Sequence, residues 1–146
     1  MKKSLIIFSV LLSLFSFAQN EKHVKWLTEF KKTGDKEGEV LIKAEIEKGW
    51  HTYSQKPSDG PIPTVFKFKI NPGFELIGQT EESAAKEEFD KTFDTKVYVF
   101  DEHAEFKQKI KLNASQFEIP ITIEYMVCND AMCIMEGPVN VSVQVK

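Results

Sequence analysis

Two residues of this chain are suited to covalent chemistry, Cys128 and Cys133, and they are its only cysteines. A thiolate can attack a disulfide, close one with a neighbour, or hold a soft metal ion. The segment reads Tyr125-Met126-Val127-Cys128-Asn129-Asp130-Ala131-Met132-Cys133-Ile134-Met135-Glu136-Gly137-Pro138. Asn129-Asp130 is turn-forming, so the chain can reverse and set Cys133 opposite Cys128, within the Cα separation of about 4.4 to 6.8 Å that a disulfide requires. Odd positions from Ile119 to Val127 carry an apolar stripe, so Cys128 is expected to point away from the core. Two uses of the bond remain open. As a hairpin staple, so small a ring limits the unfolded chain by only about 2 kcal/mol, against roughly 4 to 5 kcal/mol for a loop of about 100 residues. As a bond at the rim of the fold, it would suit opening and closing by an incoming thiolate, which needs access to a sulfur. The C-x4-C spacing does not separate the two, and it is not the C-x-x-C of thioredoxins.

Other chemistry has less to stand on. Met126, Cys128, Met132, Cys133 and Met135 place five sulfurs within ten residues, and thiolate with thioether favours copper(I). The plainer account of the methionines is apolar filling around a hairpin. His23, His51 and His103 have no zinc-type spacing. The chain has no G-x-S-x-G elbow, P-loop, H-E-x-x-H or C-x-x-C-H motif. Asp130 and Glu136 are nearby negative charges that by themselves disfavour a thiolate. Glu81-Glu82 and Glu87-Glu88 sit in a polar run and read as solvated. A third class is a structural interaction module whose disulfide is inert.

The elements that must carry the pair are strands. Val40, Ile42, Ala44 and Ile46 alternate with Leu41, Lys43, Glu45 and Glu47, and Phe66, Phe68 and Ile70 with Lys67 and Lys69; Ala104, Phe106, Gln108, Ile110 and Leu112 form a weaker stripe, and Ile119 to Val127 and Val139 to Val145 alternate in the same way. Further strands are expected around Val24 to Phe30, Trp50 to Tyr53, Phe74 to Ile77 and Val97 to Phe100, with turn signals between them. Roughly eight short strands at regular spacing predict an all-β, immunoglobulin-like antiparallel β-sandwich. Thr80 to Lys91 lacks alternation and reads as a short helical turn or a solvated loop. The 146 residues carry 19 basic and 22 acidic side chains, a formal charge of −3. That balance supplies none of the positive field on which nucleic-acid binding relies.

The first 18 residues read as a leader: Lys2-Lys3, an apolar run from Leu5 to Phe17, and Ser16-Phe17-Ala18 as the cleavage signal. That run reaches only about 20 Å as a helix, short of the roughly 30 Å bilayer core, so cleavage after Ala18 is expected instead of a retained anchor. Residues 19–146 then form one domain outside the cytoplasm, where a disulfide can persist. No stable membrane insertion is expected after cleavage.

Four motifs, in order along the chain, carry a resemblance. They are Gly49-Trp50-His51-Thr52-Tyr53-Ser54, Gly60-Pro61-Ile62-Pro63-Thr64, Phe93-Asp94-Thr95-Lys96-Val97-Tyr98, and Tyr125-Met126-Val127-Cys128 with Cys133. Together they resemble the N-terminal periplasmic domain of the thiol:disulfide interchange protein DsbD, in its stand-alone form. The resemblance implies an immunoglobulin-like sandwich that relays electrons from a thioredoxin-like or membrane electron-donor protein to oxidised periplasmic proteins, with no cofactor. It implies that Cys133 forms the mixed disulfide and Cys128 resolves it. Phe93 resembles the aromatic of a cap loop that shields the disulfide, with Asp94 and Lys96 beside it, and His51 and Tyr53 match aromatics lining the site. Core packing for Phe93 and a surface place for His51 are the plainer alternatives. The chain departs from the pattern in a cysteine spacing one residue shorter and in Ile134-Met135-Glu136 where the family often has a Pro-Pro pair. As read, it ends at Lys146 without the family's electron-carrying domains, so the donor is expected to be a separate protein.

Overall fold

The computed structural model describes residues 22–146, so the leader expected over residues 1–18 lies outside the described residues. Alternation builds the first sheet, ordered β1 (Val24–Lys32), β2 (Glu37–Ile46), β8 (His103–Leu112) and β5 (Phe74–Glu82). In β2, Val40, Ile42, Ala44 and Ile46 are buried, and in β8 so are Ala104, Phe106, Gln108 and Ile110. The buried polar residue is fully used. Gln108 donates through Nε2 to the carbonyls of Ile77 and Lys109 and accepts from the Thr80 hydroxyl, filling the β5 irregularity between Ile77 and Glu81 where Gly78 adopts φ 67°.

The facing sheet is β12 (Val139–Val145), β9 (Phe117–Glu124) and β4 (Val65–Phe68). Ile119, Ile121, Ile123, Val143 and Val145 meet the first sheet's side chains in one apolar core. After Tyr125 the chain leaves this layer and enters a third sheet, ordered β11 (Cys133–Met135), β10 (Met126–Cys128), β3 (His51–Tyr53), β7 (Thr95–Phe100) and β6 (Lys86–Asp90). The architecture is an all-β, immunoglobulin-like antiparallel sandwich, and no helix occurs among the described residues.

The segment Thr80 to Lys91, read as a helical turn or loop, is instead the end of β5 and the edge strand β6. Its hydrogen bonds come from β7, with Glu88 opposite Val97 and Asp90 opposite Thr95. A charged edge strand hides its period, because its outer face has no core to cover and its charges protect an open edge.

Candidate functional site

Cys128 and Cys133 face each other as the last pair of the β10–β11 ladder and are joined as a disulfide, with Cα atoms 4.0 Å apart. The turn between them is set by Asn129, whose Oδ1 accepts the backbone N–H of Ala131 and Met132, while its own N–H donates to the Met132 carbonyl.

The expected accessibility of Cys128 needs correcting. Its parity is as read, since Val127 enters the main core and Cys128 points the other way. That other side is covered, however: Tyr53, Val97 and Val99 form a small second core around Cys128, which is only 2% exposed. Cys133 is partly exposed. The two residues are therefore covered unequally.

Each residue of the Gly49 to Ser54 motif has a visible task. Gly49 takes φ 88° in the turn before β3, and Trp50 packs its ring 3.7 Å from that of His23. The Thr52 hydroxyl donates to the Met126 carbonyl and ties β3 to β10. The Ser54 hydroxyl donates to Glu82. His51 lies directly opposite Cys128, and Tyr53, two residues on, shares its face. The Tyr53 hydroxyl donates to Asp90 Oδ2 at 2.9 Å, and the same Tyr53 hydroxyl oxygen lies 3.2 Å from His51 Nε2 and 3.0 Å from Cys128 Sγ. The phenol has one proton and the carboxylate is its strongest acceptor, which leaves His51 Nε2–H to donate to the phenol oxygen. Burial first, then the Asp90 hydrogen bond and the charges of Asp90 and Glu88, hold the Tyr53 phenol well above its ordinary range.

Asp90 is the residue of the cysteine surroundings that sequence reasoning missed. While Oδ2 accepts from Tyr53, Oδ1 accepts the backbone N–H of Thr92 at 2.8 Å and of Phe93 at 3.3 Å. One carboxylate thus joins the loop carrying Phe93 to the tyrosine on Cys128. An Asp opening a turn two and three residues before N–H groups it can cap was the available signal.

The remaining expected residues are placed as follows. Phe93 is partly buried, packed so closely on Gly60 that a Cβ there would lie 2.6 Å from the Phe93 Cβ. Asp94 is exposed and at φ 54° completes the β6–β7 turn, a conformation Asp tolerates better than most residues. Lys96 has the opposite parity to Val97 and pairs with Glu87 at 2.9 Å, away from the cysteine face. Glu136, expected as a charge beside the thiolates, also looks elsewhere. Its side chain is 7% exposed, and the carboxylate accepts from the backbone N–H of His23 and from Tyr125 and contacts the His23 ring.

The fold and the site together define an immunoglobulin-like sandwich domain with a cysteine pair joined at the end of a hairpin, one member buried beside a hydroxyl and the other part-buried. Residues 23–143 match the family Thiol:disulfide interchange protein DsbD, N-terminal, and the chain belongs to it. Among solved structures, the N-terminal periplasmic domain of ScsB from Proteus mirabilis has a TM-score of 0.62 at 12% identity, over 86% of this chain and 47% of that one. This chain thus spans about half of that domain's length. The Neisseria meningitidis DsbD n-terminal domain in the reduced form has a TM-score of 0.53 at 19% identity, over 82% of this chain and 83% of that one. A complex between the DsbD N-terminal and PilB N-terminal domains of Neisseria meningitidis has a TM-score of 0.48 at 18% identity, over 82% of this chain and 80% of that one. At these identities the likeness is one of fold. No curated protein matches the sequence.

Proposed function

We propose that this chain is an envelope electron relay working by thiol–disulfide exchange through Cys128 and Cys133. The observation that carries this reading is the asymmetry of the pair, with Cys128 2% exposed and Cys133 partly open. Exchange begins at a sulfur that a partner can reach. In the dithiol state the Cys133 thiolate attacks a substrate disulfide, and one substrate sulfur leaves as thiolate. The Cys128 thiolate then attacks Cys133 in the mixed disulfide and releases the second substrate sulfur. Two electrons pass to the substrate, and the 128–133 bond re-forms. A thioredoxin-like or membrane-bound donor reopens it by the same steps in reverse.

The proposed setting is the periplasm, reached by a leader over residues 1–18 that is cleaved after Ala18. Support comes from the sequence pattern and from a neighbour described as a periplasmic domain. Among the described residues, no helix is long and apolar enough to cross a membrane. Mass determination of exported protein should find Gln19 at the N-terminus.

The exchange test is to incubate the oxidised protein with reduced thioredoxin, quench with acid and alkylate free thiols. Two labelled cysteines in the folded chain are expected. No labelling at matched potential, or a potential well below about −300 mV, would mark the bond as inert structure.

A further inference from the structure

Direct partners in an antiparallel ladder point to one face, as do residues two apart on a strand. Cys128 is opposite Cys133 and Met126 is opposite Met135, so four sulfur-bearing side chains form a two-by-two block on one face of the β10–β11 hairpin. Val127 and Ile134, the intervening pair, turn the other way and pack in the main core. Met126 and Cys133 pack against the small core that contains Cys128. Apolar filling accounts for Met126, but it does not account for Met135, 46% exposed, or for Met132 at the turn, 55% exposed. Disulfide exchange uses neither thioether.

We propose that in the dithiol state this block is a copper(I) site, with thiolates from Cys128 and Cys133 and thioethers from Met126 and Met135. The donor set selects the ion. Thiolate and thioether are soft ligands that suit copper(I), and among the described residues no group of three or more His, Cys, Asp or Glu side chains could hold a metal ion. Opposed positions and their neighbours two residues along lie within reach of side chains as long as methionine. Binding displaces the two thiol protons to solvent, copper remains copper(I), and no electron moves. Because the disulfide must first be opened, the inference rests on the exchange reading. Bound copper would occupy both sulfurs and halt the relay.

The test uses protein reduced with dithiothreitol, desalted without oxygen, and titrated with copper(I) in competition with bicinchoninate. The reduced chain is expected to take up one copper ion and the oxidised chain none. Met126→Leu/Met135→Leu should bind at least about tenfold more weakly, and the disulfide of Met135→Leu, whose side chain is exposed, should be reduced by dithiothreitol at the wild-type rate. The exposed Met135→Leu alone, which leaves the packing of Met126 intact, should already weaken binding. Wild-type affinity in both methionine variants, or no uptake by protein with two titratable thiols, would overturn the site. A bond that dithiothreitol opens and thioredoxin does not, with copper still bound tightly, would overturn the exchange reading and leave the site standing.

Discussion

The Tyr53 hydroxyl oxygen lies 3.0 Å from Cys128 Sγ, in a pocket where both residues are 2% exposed. A hydroxyl so close to a buried sulfur can turn its proton toward the thiolate once the disulfide is open, and hydrogen bonds to charged groups contribute about 1.5 to 3 kcal/mol. Tyr53→Phe keeps the ring and removes that donor. In a Cys133→Ser background, alkylation of Cys128 at fixed pH should slow by about tenfold, because less of the sulfur is thiolate. An unchanged rate would mean that the phenol serves packing alone.

Asp90 should act with the opposite sign. Its charge faces the same pocket and draws the phenol proton away from the sulfur. Asp90→Asn removes the charge but keeps an oxygen that can accept the N–H groups of Thr92 and Phe93. Alkylation of Cys128 should quicken several-fold, and the phenol should titrate lower than in the parent. Asp90→Ala also unties the loop, so a difference between the two variants in the reduction rate of the disulfide would separate the electrostatic role from the tethering role.

Gly60 gives a probe of the Phe93 loop that leaves the aromatic itself intact. A methyl group at Gly60 would meet the Phe93 Cβ at 2.6 Å, well inside contact distance, so the ring has to move. If Phe93 shields the bond, Gly60→Ala and Phe93→Ala should both raise the rate of reduction by dithiothreitol severalfold. Equal rates in all three proteins would assign Phe93 to packing.

The sandwich was legible because its two main layers obey a period of two: the stripes through Val40 to Ile46, Phe106 to Ile110 and Ile119 to Val127 are buried as the alternation requires. The site was legible only in part. Cys128 and Cys133 follow from their turn, but parity alone made Cys128 look exposed, because it says which way a side chain points and not whether something lies there. The covering layer comes from β3 and β7, distant in sequence and too short to show a period. Asp90 stayed hidden for the same reason. It lies on a charged edge strand, and its two roles appear only when β6 is folded beside β7 and Tyr53.

Glu136 fastens the end of the hairpin to the N-terminal strand. Its carboxylate is the acceptor for the buried Tyr125 hydroxyl and the His23 backbone N–H. Glu136→Leu leaves both donors without a partner, at a cost of about 1 to 3 kcal/mol for each buried group. Urea unfolding should show a midpoint well below that of the parent, with Glu136→Gln falling between the two. An unaltered midpoint for Glu136→Leu would mean that water replaces the carboxylate at no cost.

Alkaline pH should weaken the fold through its tyrosines. Burial, followed by hydrogen bonding and charge from Asp90, raises Tyr53, and burial is likewise the largest influence raising Tyr125, beside Glu136. A group that is held neutral in the fold binds its proton more tightly there than in the unfolded chain. The resulting stability is therefore complete below the ordinary phenol value of about 10 and is lost progressively as pH rises past it. Denaturant midpoints should hold steady as pH approaches about 9.5 and then fall, and the fall should be shallower for Tyr53→Phe. Lys86 and Lys96 also titrate above their usual range, but they are present in both proteins and cancel in the difference. Parallel curves for the parent and Tyr53→Phe would show that the phenol loses its proton as readily in the fold as outside it.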